Sequence, residues 1–208
     1  MKIIDISVAV DDKLPLWPNA ITPQCTKHLS LDQGHVCNDS SIHFGLHAGT
    51  HIDAPLHFVS GGKSIDKMPL EIFVGPVFVA HLPKVKEISA VDLDKLKIPK
   101  HITRILFKTS NSVLWSKGSV FTKNYVGLTA DAAQWLTKRK FILVGVDYLS
   151  IAKFDEAVAV HKILLGKEVA LLEGINLSKV KPGMYQLMCF PIKIGGQEAA
   201  PVRAILTK

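Results

Sequence analysis

The sequence predicts a mixed α/β fold, and three observations carry that expectation. Residues 3–10 alternate apolar and polar side chains, as a half-buried strand does. Residues 102–108 and 141–146 are short apolar runs bounded by turn or charged residues, the pattern of buried strands. Residues 129–138 carry helical periodicity behind Thr129, a suitable N-cap, with Ala133 and Leu136 on the apolar side. Strands and helices thus interleave along the chain, which favours helices packed on a sheet.

The remaining elements are read in order. Residues 73–81, with Val77, Phe78 and Val79 at their centre, form a strand, and residues 92–96 a short helix. Residues 157–165 are compatible with a helix that holds His161 at its middle. Val169, Ala170, Leu171 and Leu172 read as a short buried strand ending in Glu173 and Gly174. Pro182-Gly183 marks a turn before a strand over 184–190, and Gly195-Gly196 another before a strand over 202–206. There is no repeat, low-complexity tract or linker. A chain of 208 residues can fill one sizeable core, so one domain spanning 1–208 is expected.

Composition narrows the function classes. With 48% hydrophobic and 21% charged residues the chain is not disordered. No uncharged apolar run approaches the roughly 18 residues of a membrane span. Asp5 stands where a signal peptide needs its apolar region, so a cytoplasmic protein is expected. The formal charge of +7 is spread over scattered lysines, the densest cluster being Lys138-Arg139-Lys140. No nucleic-acid-binding motif accompanies it, so these are solvated faces that would at most draw an anionic small molecule inward. Cys25, Cys37 and Cys189 have no metal-type spacing and read as buried, reduced thiols.

The segment that carries chemistry is His47-Ala48-Gly49-Thr50-His51-Ile52-Asp53-Ala54-Pro55-Leu56-His57. Three imidazoles and a carboxylate this close suit a divalent transition metal. All four groups occupy odd positions and would share one face of a strand. A straight strand from His47 to His57 would span roughly 33 Å, far beyond the reach of one ion whose ligands lie at about 2 Å. The chain must therefore bend, and Gly49 and Pro55 are the places expected to do it. His51 and Asp53 then chelate from one short extended piece, and His47 joins them across Gly49. His57 lies beyond the second bend and reads as a proton-transfer group. The bland alternative, a histidine-rich surface loop, leaves the carboxylate and the flanking turn residues without a role. His28, His35, His81 and His101 lack such a context; Cys37 and His43 lie near enough in sequence that their approach to the site stays open.

This segment resembles the His-x-Gly-Thr-His-x-Asp-x-Pro-x-His signature of the cyclase-like metal-dependent hydrolases, a family that includes bacterial kynurenine formamidase. Asp5-Ile6-Ser7, Trp17-Pro18, Glu71-Ile72-Phe73-Val74-Gly75-Pro76, Val144-Gly145-Val146-Asp147 and Ala200-Pro201-Val202-Arg203-Ala204 extend the likeness over nearly the whole chain. The resemblance implies a compact fold of the cyclase, or swivelling β/β/α, type, with mixed sheets in a barrel-like core flanked by helices. It implies two divalent ions, zinc first and manganese second. His47, His51 and Asp53 would hold one, Asp53 and His161 the other, and Glu173 would touch both. His57 would be the catalytic acid/base, and Trp17 would line the substrate pocket.

The activity so implied is metal-dependent amide hydrolysis, in which the ions activate water and polarise the carbonyl. The best-known substrate of the family is N-formylkynurenine, cleaved to formate and kynurenine. One departure widens the choice. Kynurenine formamidases tend to carry Asp-Thr-Pro-Ser after the Val-Gly strand, where this chain has Asp147-Tyr148-Leu149-Ser150. Cyclic amides of the isatin or lactam type are therefore the alternative substrates. A non-catalytic metal-binding assembly protein is the alternative of a different class, but such sites are usually closed by cysteines and have no use for His57. A homo-oligomer, a dimer or larger, is expected of a chain this apolar with relatives that assemble.

Overall fold

The computed structural model describes residues 2–118 and 120–208. Its strands are β1 (Ile3–Asp5), β2 (Gln24–Leu29), β3 (Asp39–His43), β4 (His51–Asp53), β5 (Val74–Leu82), β6 (Arg104–Thr109), β7 (Leu143–Val146), β8 (Ala170–Glu173), β9 (Gly183–Met188), β10 (Ala199–Pro201) and β11 (Ile205–Thr207). The helices are α1 (Ala90–Asp94), α2 (Ala130–Lys138) and α3 (Ala157–Leu165). Nine strands form one mixed sheet in the order β1-β11-β9-β5-β6-β7-β8-β4-β10, and β2 and β3 pair as a separate hairpin. Strands β5 to β8 are parallel, and each crossover between them carries one of the helices. The flanking strands pair antiparallel.

Covalent reach shows that this sheet is curled. β10 and β11 lie toward opposite ends of the strand order, yet only residues 202–204 join them. So few residues bridge at most about 14 Å, whereas a flat sheet would separate the two strands by roughly 33 Å at about 4.8 Å per strand. The link bonds to both sides at once: Val202 N–H donates to the Thr50 carbonyl at 3.0 Å, and Ile6 N–H to the Ala204 carbonyl at 3.1 Å. The result is a half-barrel flanked by helices, as the resemblance implied.

Strand alternation divides the apolar residues into two cores. Ile52, Val77, Val79, Leu106, Leu143, Leu172, Leu187 and Leu206 fill the concave interior. Ile105, Phe107, Val144, Val146 and Leu171 face the other way, against Leu93 of α1, Ala132, Ala133 and Leu136 of α2, and Val160 and Leu164 of α3. Most of these side chains are fully buried, and each such burial contributes about 1.5–3 kcal/mol.

Several expectations shift in detail. The first strand stops at Asp5, because the chain then leaves the sheet except for an isolated bridge between Ser7 and Ile175. Of the strand expected over 202–206 only residues 205 and 206 are in one, β11, because residues 202–204 cross the barrel opening, and the preceding strand β10 was not expected. The short helix begins earlier than expected, where Ser89 and Asp92 form a capping box. Thr129 occupies the N-cap position of α2, but its hydroxyl donates to the Asp131 carboxylate, with the Ile88 carbonyl at 3.1 Å, instead of capping. Cys189 is buried, as expected, whereas Cys25 and Cys37 are exposed. Cys25 lies on the β2–β3 hairpin, whose side chains are exposed on both faces, and Cys37 in its loop. His43 is on the same hairpin, paired with Gln24, and so belongs to that arm.

Candidate metal centre

β4 lies between β8 and β10, with His51 opposite Glu173 and Asp53 opposite Leu171. Residues directly opposite in a sheet share a face. His51, Asp53 and Glu173 therefore point to the side of Leu171, where α3 packs, while Ile52 and Leu172 enter the concave core. The two expected bends are present. Gly49 has φ +73°, and its added Cβ would lie 3.1 Å from Val10. After β4, residues 55–57 make a 3-10 turn that begins at Pro55 and ends at His57. Gly174 matters equally: with φ +69°, any Cβ there would sit 1.9 Å from the Gly49 carbonyl oxygen. Thr50 ties these turns together, donating to the Gly174 carbonyl at 2.6 Å and accepting from Val8 N–H at 2.9 Å.

Backbone carbonyls aim the imidazoles. His51 Nδ1 lies 3.0 Å from the Gly49 carbonyl, leaving Nε2 toward Asp53 Oδ1 at 3.4 Å and Glu173 Oε2 at 3.5 Å. His161 Nδ1 lies 2.6 Å from the Ala157 carbonyl, leaving Nε2 toward Glu173 Oε1 at 3.3 Å and Asp53 Oδ2 at 3.8 Å. This is how metal-ligating histidines are usually oriented. His47 Nδ1 approaches Asp53 Oδ1 at 2.9 Å, and its Nε2 faces Glu198 Oε1 at 3.4 Å. His47, His51 and Asp53 form one group of donor atoms within 4.8 Å of one another; Asp53, His161 and Glu173 form a second. The contact of Glu173 with His51 links the two groups.

The electrostatics are those of a site shaped for cations. Burial disfavours the charged form of His51, yet the carboxylates of Asp53 and Glu173 outweigh it and push its pKa up to about 10. Burial likewise opposes ionisation of Asp53, but His47 and His51 hold it well below the usual carboxylate range. Glu173 is depressed as well, burial and Asp53 being overcome by His161 and His51. His161 is raised despite its burial, mainly by Glu173. Even so, His51 Nε2 and both Asp53 oxygens are buried without a hydrogen-bond partner among the described residues. Their neighbours are close but not aligned for hydrogen bonds. Orphaned donors of this kind, three imidazoles and two carboxylates around them, fit divalent metal ions.

His57 differs from the rest. It is half-buried, its ring lies 4.2 Å from that of His47 and 6.0 Å from that of His161, and burial lowers its pKa. Phe58 packs edge-on against it at 4.4 Å. Trp17 stands in an aromatic cluster instead, stacked on Phe154 at 5.0 Å with Phe121 and Tyr125 at its edges. Two residues that the structure draws attention to escaped the sequence reading. Glu198, which contacts His47, precedes β10, a strand the sequence did not announce, and Tyr125 lies in a stretch without any local pattern.

The Putative cyclase family model matches residues 4–153. Cyclase-like protein 1 of Oryza sativa subsp. japonica is 38% identical, the match covering all of this chain and 79% of that protein. Kynurenine formamidase of Salinibacter ruber is 36% identical, with 99% of this chain and 97% of that protein covered. The solved structure of a predicted metal-dependent hydrolase from Bacillus stearothermophilus superposes with a TM-score of 0.84 at 32% identity, covering 99% of this chain and 97% of that one. The chain belongs to the cyclase family.

Proposed function

We propose that this protein is a metal-dependent amide hydrolase of arylformamidase type, splitting an N-formyl aryl amine such as N-formylkynurenine into formate and the free amine. The observation that carries the reading is the pair of donor groups sharing Asp53, with His57 standing free beside them. The kynurenine formamidase of Salinibacter ruber, matched over nearly its whole length, supports the substrate class. His47, His51 and Asp53 would hold one divalent ion, and Asp53, His161 and Glu173 a second, zinc being the best fit to imidazole and carboxylate donors and manganese the next. When bound, such ions are Lewis acids that lower the pKa of water and polarise an amide carbonyl.

The chain's own residues do the rest. Asp53 and Glu173 stay ionised and balance the cationic charge. His57, neutral at pH 7 because burial lowers its pKa, takes the proton from the attacking water. That water's oxygen bonds to the acyl carbon, the C–N bond breaks, and His57 delivers the proton to the departing nitrogen. The water's second proton leaves the nascent formic acid for solvent, so the products are formate, the free amine and one released proton. Trp17, with Phe154 and Tyr125, would supply an apolar wall for the aryl ring. The Tyr148-Leu149 pair in place of Thr-Pro favours keeping a second reading, a cyclic amide of isatin or lactam type.

Residues 1–208 would act as one domain within a homo-oligomer. Exposed, free Cys25 and Cys37 fit a reducing compartment such as the cytoplasm. No helix among the described residues is long and apolar enough to cross a membrane. The deciding experiment is turnover of aryl formamides, isatins and small lactams by Zn²⁺- and Mn²⁺-loaded protein. Turnover of an aryl formamide supports the reading; turnover of cyclic amides alone selects the second; metal binding with no amide turnover leaves a non-catalytic metal protein.

A further inference from the structure

Among the described residues, four buried side-chain polar atoms have no hydrogen-bond partner. Three belong to His51 and Asp53 in the metal centre, and the fourth is the hydroxyl of Tyr125. A buried hydroxyl without a partner is costly, and proteins rarely keep one unless a ligand, an ion or an ordered water completes it. Tyr125 is only 4% exposed. The Ser150 hydroxyl lies near its own without an aligned hydrogen bond, and the charge of Glu173 reaches it, so the phenol sits beside the segment that carries Glu173. Its ring packs on Tyr148 at 5.1 Å. The Tyr148 carbonyl accepts from Gly174 N–H at 2.8 Å, and Ile151 N–H donates to Glu173 Oε1 at 2.6 Å. On its other side Tyr125 meets the edge of Trp17 at 6.5 Å and helps line a cavity of about 410 Å³ with Phe154, Lys123 and Lys86. Tyr125 thus touches both the aromatic cluster and the segment that carries Glu173, the two places that an aryl amide bound at the metal centre would meet.

We propose that Tyr125 is a substrate-contacting catalytic residue whose phenol donates a hydrogen bond to the carbonyl oxygen of the amide. The proposal rests on the amide-hydrolase reading and adds a donor that the metal-centre motif does not contain. A phenol is protonated at neutral pH and keeps its hydrogen to give. As charge builds on the carbonyl oxygen during attack, the hydrogen bond strengthens, and no bond to Tyr125 is made or broken.

The test compares wild type with Tyr125→Phe in the full-length, Zn²⁺-loaded protein. Phenylurea, an aryl carbonyl compound that resists hydrolysis, and aniline, which lacks the carbonyl, serve as calorimetric probes. The variant should bind phenylurea roughly 3–10-fold more weakly and aniline equally well, from the loss of one hydrogen bond. Its turnover of an aryl formamide should fall by roughly 10²–10³-fold in kcat, with metal content unchanged. The metal-free variant should unfold at the same denaturant concentration as wild type or a higher one, because it has lost only an orphaned hydroxyl. Equal loss for both probes, lower stability, or phenylurea binding unchanged by the substitution would make Tyr125 a packing residue and overturn the proposal. Failure of wild type to bind phenylurea overturns it too, while wild-type amide turnover judges the broader reading separately.

Discussion

Asp53 has both carboxylate oxygens buried, ionised and free of aligned hydrogen bonds, an arrangement that is stable only beside compensating charge. His51, its pKa raised to about 10, supplies that charge as a protonated imidazole in the metal-free protein, and an ion would replace its proton. Among the proposed ligands His51 is the one best held for exchange, since the Gly49 carbonyl fixes its ring. His51→Ala should therefore bind markedly less Zn²⁺ than wild type by elemental analysis after loading and gel filtration. Equal metal in both would remove His51 from the ligand set. His57 makes the opposite prediction. It has no carboxylate contact of the kind that binds the other imidazoles, so His57→Ala should retain its metal and lose roughly 10²–10⁴-fold in turnover. Loss of metal would make His57 a ligand; unchanged turnover would remove it from proton transfer. In the wild type, kcat/KM should fall with slope one as pH drops through the lowered pKa of His57, below 6.5, and that limb should be missing in His57→Ala.

At the scale of elements, what the sequence revealed followed from local chemistry. The bend at Gly49, the extended pair His51 and Asp53, the turn at Pro55 and the helix around His161 were all legible, because glycine, proline and apolar periodicity act within a few residues. The meeting of His161 and Glu173 with Asp53 was visible only through family resemblance, since strand pairing between β4 and β8 spans over a hundred residues. Strand β10 and the contact of Glu198 with His47 were not legible, because both depend on how the sheet curls closed. The β2–β3 hairpin was missed for a different reason: its residues are exposed on both faces and carry no alternation. An isolated two-stranded ribbon is marginal in water. Ile21, Leu31, Val36 and Ile42 on and around it are each more than half exposed. The proposed homo-oligomer gives this arm a partner. Ile42→Asp should shift the assembly toward monomer by light scattering at micromolar concentration, while the monomer keeps its far-UV circular dichroism. An unchanged assembly would place the interface elsewhere on the molecule.

For the whole molecule, the centre couples metal, protons and stability. In the metal-free protein the pKa of His51 is raised from 6.5 to about 10 and that of His161 is also raised. Their stabilisation is complete below pH 6.5 and is lost as pH climbs toward the folded-state values. Asp53 and Glu173, lowered from 3.8 and 4.5, act in the other direction, and their contribution disappears as pH falls through their folded-state values. The metal-free centre should thus be most stabilising between about pH 5 and 6.5. Metal binding requires the imidazoles to be neutral, so it must expel the proton that His51, with a pKa of about 10, holds at neutral pH. Affinity for Zn²⁺ should rise with pH from 6 to 8, and the stabilisation it confers should rise with it, reaching about 4 kcal/mol at a thousandfold excess over Kd. The measurement is the difference in thermal midpoint between Zn²⁺-loaded and EDTA-treated protein at several pH values, with calorimetry in buffers of unlike ionisation enthalpy to count the released protons. A midpoint difference that grows with pH, together with proton release on binding, ties the ion to these imidazoles. A difference that stays flat with pH, with no protons released, would mean that Zn²⁺ binds somewhere other than the centre built around Asp53.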